Sequence, residues 1–244
     1  MIFETFLLAA QQQPQQGIGI GYWLIIGATA LVSMLISSTL KSRFQEYSNI
    51  PIRLTGAQVA ETMLRQNGIN DVRVISVPGQ LTDHYDPAKK TVNLSEMVYG
   101  MNSVAAAAVA AHECGHALQH QQAYAWLNFR SKMVPAVQVA STLQQYLMMA
   151  AMFGLFLFQS PFMLWLLVAV FAVTALFAVV TLPVEFDASK RAMAWMERSG
   201  IATQMEHEKA EKALFWAAMT YVAAAVGAIG LMVYWLMMAL NRRE

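Results

Sequence analysis

The chain has 244 residues, 57% of them hydrophobic and 13% charged, against about 25% charged in an average soluble domain. That balance excludes a disordered chain, a collagen-like repeat and a disulfide scaffold, and directs attention to membrane spans. The formal net charge of +1 implies no polyanionic partner, so nucleic acid is not expected, and a single cysteine, Cys114, permits no intrachain disulfide.

The charges cluster, and the gaps between clusters define the organisation. Residues 1–16 lack a basic start and carry Glu4 inside their apolar stretch, which reads as a short external tail and not as a signal peptide. Residues 17–40 contain no charge and are long enough to cross a hydrocarbon core of about 30 Å. Residues 41–133 form a polar segment. Residues 134–182 are again uncharged and are broken by Gln159-Ser160-Pro161, which predicts a transmembrane helical hairpin with arms near Val134–Phe158 and Phe162–Leu182. Residues 183–212 are polar, 213–240 form a last span, and 241–244 a tail. The expected fold is therefore mainly α and integral to the membrane, with about four transmembrane helices and a small cytoplasmic α/β region.

Lys and Arg set the orientation. Segments 41–133 and 184–212 together hold fourteen of them and the C-terminal tail two, Arg242 and Arg243. The positive-inside rule places the rich segments in the cytoplasm and both termini outside, in a cell (inner) membrane. The basic tail runs against that trend.

Within the first polar segment, Thr55 and Gln58 form a capping box for a helix that ends before Gly68. Val72–Val77 reads as a strand, residues 85–90 as a turn, and Thr91-Val92-Asn93-Leu94 as a second strand that could serve as the edge pairing with an extended peptide. Asn102 or Ser103 then caps an alanine-rich helix that runs into AHECGHALQH.

His112-Glu113-Cys114-Gly115-His116 is an HExxH motif. Two imidazoles at i and i+4 share one helix face and can reach one metal ion, while Glu113 sits about 100° round, close enough to hold a metal-bound water without ligating. Cys114 falls about 200° from each ligand position, on the back of that face, as a small hydrophobe. A catalytic zinc takes three protein ligands and keeps one position open. His120 cannot complete the set along one straight helix. Gln119 and Gln122 occupy the positions where a metzincin would carry Gly and His. His84, His207, Glu185, Asp187 and the cluster Glu206, Glu208, Glu211 remain. The glutamate cluster alternates with Lys209 and Lys212 as a solvated helix face does. Glu185 is the first charge after the long uncharged stretch, beside Pro183 near an expected helix start, where a carboxylate is costly unless neutralised.

HECGHALQH followed, after a hydrophobic hairpin, by LPVEFDASKRA resembles the YugP-like membrane-bound neutral zinc metallopeptidases. More distantly it is similar to the HtpX-type and CAAX-processing integral-membrane gluzincins. The resemblance implies His112, His116 and Glu185 as ligands of one zinc per chain and Glu113 as the catalytic base. The HtpX-type pattern has Asp four residues after the ligand Glu, braced against a ligand His. Here Ser189 stands there, and Asp187 lies on the wrong side of a straight helix to replace it. Tyr85, His84 and Tyr99 are candidate donors to a developing oxyanion. The implied activity is hydrolysis of peptide or protein substrates, membrane proteins among them. The alternative is a zinc-binding membrane assembly or chaperone factor without proteolysis, against which Glu113 argues, since a structural site needs no base.

Overall fold

A computed structural model describes residues 19–152 and 160–241. In chain order the elements are α1 (Ile20–Ser48), α2 (Gly56–Gln66), β1 (Arg73–Val77), β2 (His84–Asp86), β3 (Thr91–Ser95), α3 (Glu96–Gly100), α4 (Val104–Gln121), α5 (Ala125–Met152), α6 (Pro161–Ser199) and α7 (Gln204–Asn241). The fold is mainly helical with one small sheet. Among the described residues three helices, α1, α6 and α7, are long and apolar enough to cross a membrane. The first arm of the expected hairpin coincides with α5 up to Met152, and its end lies outside the described residues. So do the N-terminal tail and the last three residues.

The chain divides into two compact units. The first draws on Met1–Met34, Arg130–Val180 and Tyr221–Glu244. Its interior gathers Tyr22, Ala140, Leu164, Leu167, Phe171 and Trp235. Small residues let its helices approach: a Cβ at Gly227 would stand 2.5 Å from the Thr29 side chain.

The second unit, Leu35–Phe129 with Thr181–Thr220, carries the polar chemistry. Helix α2 begins at Thr55, whose hydroxyl accepts from the Gln58 amide while the Gln58 side chain accepts from the Thr55 amide, the reciprocal pair expected of a capping box. Gly68 ends the turn at φ +73°, a conformation that costs glycine nothing. Ser103 caps α4 by accepting from the Ala106 amide. The alanines that follow, from Ala105 to Ala108 and at Ala110 and Ala111, are fully or almost fully buried, and their small side chains let α4 run through the middle of the unit. Val59, Met63, Val92, Leu94, Val104, Trp195 and Met196 pack in the same core. Burying each large apolar side chain of this kind contributes about 1.5–3 kcal/mol.

The sheet has the order β1-β3-β2, with β1 parallel and β2 antiparallel to β3. This corrects the expectation that Thr91, Val92, Asn93 and Leu94 form an exposed edge. They lie in the central strand, every residue of which is buried. The alternation Thr-Val-Asn-Leu-Ser reports which face each side chain takes; it carries no information about which strand is outermost. The edges are β1 and β2.

A second correction concerns Glu185. It does not stand near the start of a helix. Helix α6 runs without interruption from Pro161 to Ser199, with Pro183 inside it. Proline at that point removes one amide donor, a loss that a long apolar helix tolerates where neighbouring groups supply the freed carbonyls with partners.

Candidate metal centre

Two helices build the site, α4 and the middle of α6, both within the second unit. Their close approach depends on the residue between the ligand histidines. A Cβ on Gly115 would lie 2.5 Å from the Ala188 carbonyl oxygen, so only glycine lets α6 pass directly across the HExxH turn. Cys114, on the opposite side of the helix, is fully buried, with its thiol 3.6 Å from the Ala60 carbonyl oxygen. Burial, helped by the nearby Glu113 charge, pushes that thiol well above its ordinary pKa.

Across this contact Glu185 meets both histidines. Its Oε2 is 3.4 Å from Nε2 of His112 and 3.7 Å from Nε2 of His116. The three ligand atoms all lie within 4.8 Å of one another, the one such convergence of potential metal donors among the described residues. The two imidazoles are nearly perpendicular, at 85°, with centroids 4.8 Å apart. Donors about 2.0–2.1 Å from a tetrahedral zinc stand roughly 3.3 Å from each other. The separations to Glu185 are therefore close to those a single zinc would impose, and two imidazoles with one carboxylate are a donor set zinc accepts.

The electrostatics agree. Burial would raise the Glu185 carboxyl, but hydrogen bonds and charge attraction from His112 and His116 outweigh it and hold the group far below the ordinary carboxylate range. Burial likewise pulls His116 down, yet the hydrogen bond to Glu185 and the charges of Glu113 and Glu185 raise it overall. The site favours positive charge among these three side chains.

The outer nitrogens of both histidines are engaged. His112 Nδ1 is 3.1 Å from Ser189 Oγ, one turn after Glu185 on α6. His116 Nδ1 is 3.0 Å from Oε1 of Gln119, and the Gln119 amide nitrogen is 2.8 Å from both the Val184 carbonyl oxygen and Asp187 Oδ2. Asp187 thus reaches His116 through Gln119, a route that its angular position on α6 does not reveal. Gln119 and Gly115 are the two residues of the site that the sequence does not announce. The spacing of Gln119, three residues beyond a ligand histidine on one helix, is the one signal that could point to it.

Glu113 is buried next to His112 and stays outside the converging trio. Of the expected oxyanion donors, Tyr85 on β2 places its hydroxyl 2.8 Å from Nδ1 of His120, one turn beyond His116. Burial, together with the charges of Asp71 and Asp86, raises the Tyr85 phenol. His84 is exposed and its Nδ1 bonds the Thr82 carbonyl oxygen of its own turn at 2.7 Å. Tyr99 packs against the apolar core. His207 contacts the Met193 carbonyl oxygen at 3.1 Å.

An HExxH helix completed by a glutamate from a later helix is the donor arrangement of a metallopeptidase. The chain belongs to the family described as "Putative neutral zinc metallopeptidase", whose model matches residues 22–240. It is 40% identical over 224 residues to a protein of Bacillus subtilis (strain 168) named "Putative membrane protease YugP", a match covering 91% of this chain and 97% of that one. No solved structure matches the chain.

Proposed function

We propose that this chain is a membrane-embedded zinc metalloendopeptidase. The observation that carries the reading is the convergence of His112 and His116 with Glu185, residues brought from two separate helices to donor spacing around one point. These three side chains would hold one zinc per chain. Bound there, zinc would supply the Lewis acidity that makes water nucleophilic and the scissile carbonyl electrophilic at neutral pH. Glu113 takes the proton of the attacking water on its carboxylate and passes it to the leaving amine. Ser189 and Gln119 orient the two imidazoles through their Nδ1 atoms. Tyr85 is the proposed donor to the developing oxyanion: with His120 Nδ1–H donating to the phenol oxygen, the single phenol proton is left for substrate, one turn of α4 beyond His116. The outer edge of β2, last in the strand order, would then offer main-chain groups to an extended peptide.

The substrates are peptides or proteins, membrane proteins among them. We assign four spans, with α5 supplying the fourth beside α1, α6 and α7. By the Lys and Arg distribution the centre faces the cytoplasm and both termini lie outside. Glu185→Ala tests the reading. It should lose zinc and hydrolysis of unfolded protein together, since two imidazoles alone hold the ion poorly. A Glu185→Ala protein that keeps stoichiometric zinc and full activity would overturn the assignment.

A further inference from the structure

Gln119 has no exposed surface, and its amide has one allowed orientation. At one end lie two acceptors, the Val184 carbonyl oxygen and Asp187 Oδ2, both at 2.8 Å. Only the NH2 group can face them; a flipped amide would set its oxygen against a carbonyl and a carboxylate. With both N–H groups spent, the end facing His116 is an oxygen, which can only accept. The Nδ1 of His116, 3.0 Å away, must therefore carry the proton and donate it. In the neutral ring that metal binding requires, this leaves the lone pair on Nε2, the nitrogen on the side of Glu185, whose Oε2 is 3.7 Å from it. Asp187 is itself held: Arg191 Nε donates to the same Oδ2, and another arm of that guanidinium donates to Oε1 of Gln122, at the end of α4. The Arg191 guanidinium also lies 5.7 Å from the centroid of the Tyr124 ring.

We infer that Gln119 and Asp187 form a positioning relay that fixes the tautomer and ring orientation of His116 for the metal, with Arg191 anchoring it to the end of the motif helix. The inference rests on the metal-site reading above. It separates the two ligand histidines by kind. The Nδ1 of His112 meets a hydroxyl from α6, that of Ser189. His116 is oriented by an amide polarised from behind by a carboxylate, a chain in which each hydrogen bond strengthens the next. The relay also couples the metal face of α4 to the segment of α6 that carries Glu185, because Gln119 bonds the carbonyl of the residue immediately before it.

The test uses the full chain in detergent micelles, stripped of metal and titrated with zinc in competition with a chromophoric chelator. Gln119→Met keeps the side chain's length and removes all three bonds; zinc binding should weaken about 10- to 100-fold, the usual cost of losing such a partner. Gln119→Glu keeps an acceptor for His116 but sets a second carboxylate against Asp187, and should also bind zinc weakly. Gln119→Glu combined with Asp187→Asn removes the carboxylate–carboxylate clash and sets an amide donor beside the new carboxylate, while the contact to the Val184 carbonyl is lost equally in both variants, so the double variant should bind zinc more tightly than Gln119→Glu alone. A folded Gln119→Met protein with native zinc affinity overturns the relay. So does a folded double variant no tighter than Gln119→Glu, and this pair decides the matter if Gln119→Met does not fold. Native protein that fails to bind zinc sinks the metal-site reading itself, and the relay with it; native zinc binding unmoved by these variants sinks the relay alone.

Discussion

Gly115 lies directly beneath the Ala188 carbonyl, so close that an added Cβ would come within 2.5 Å of that oxygen. This single contact sets how near α4 and α6 approach, and hence whether Glu185 can reach the two histidines. A carbonyl fixed in a helix cannot swing aside as a flexible side chain would. Gly115→Ala should therefore destabilise the fold by about 1–3 kcal/mol, the range for inserting a methyl group into a packed interior, and should weaken zinc binding as well. Gly100→Ala, where a Cβ would meet nothing within 4 Å, is the control. Thermal unfolding and zinc titration of both variants check the contrast; equal behaviour would show that the helix contact is slack.

Ser189 offers a second, independent handle on the site. Its hydroxyl is the partner of His112 Nδ1. Ser189→Ala should weaken zinc binding by about tenfold, at the lower end for an outer hydrogen-bond partner. Ser189→Asp should bind zinc at least as tightly as the native chain, because a carboxylate holds the imidazole more firmly and makes it more basic. Competition titration distinguishes the two.

Much of this centre is legible in the sequence, for a physical reason. HExxH is a local device: helical periodicity alone puts His112 and His116 on one face and Cys114 on the other. Glu185 can be weighed as the partner because an isolated carboxylate beside a long apolar stretch requires compensation. What the sequence does not disclose depends on contacts between distant elements. Gly115 matters only because Ala188 passes over it, and Gln119 only because Val184 and Asp187 face it. The central place of Thr91–Leu94 depends on β1 and β2 flanking that strand from both sides, and side-chain alternation is blind to strand order. Helix α6 continues through Pro183 although proline ordinarily marks a boundary, since the cost of one missing hydrogen bond is small beside the packing of a 39-residue helix.

Cys114 should be chemically silent in the folded protein. Its thiol is fully buried, and that burial holds its pKa well above the ordinary thiol value, so the nucleophilic thiolate is scarce at neutral pH. Alkylation by iodoacetamide at pH 7 should proceed only after denaturation, and Cys114→Ala should leave zinc content unchanged. Rapid labelling of the native chain, or metal loss in the variant, would show instead that the thiol reaches the site.

Four spans and three spans differ in parity, which makes the topology open to a simple measurement. With four, reporters fused before the first span and after Glu244 both register outside the cell membrane. A reporter after Glu244 that registers in the cytoplasm while the N-terminal one registers outside would leave an odd number of spans and remove α5 from the membrane.

The division of labour between the three ligands and Glu113 is decided by measuring bound zinc and hydrolysis of an unfolded protein side by side, in the native chain and in Glu113→Gln. If His112, His116 and Glu185 hold the metal and Glu113 moves the proton, the variant keeps about one zinc per chain, as a three-ligand site would, and loses hydrolysis. A variant that remains active, or that folds without zinc, would contradict the assignment of a base distinct from the ligands.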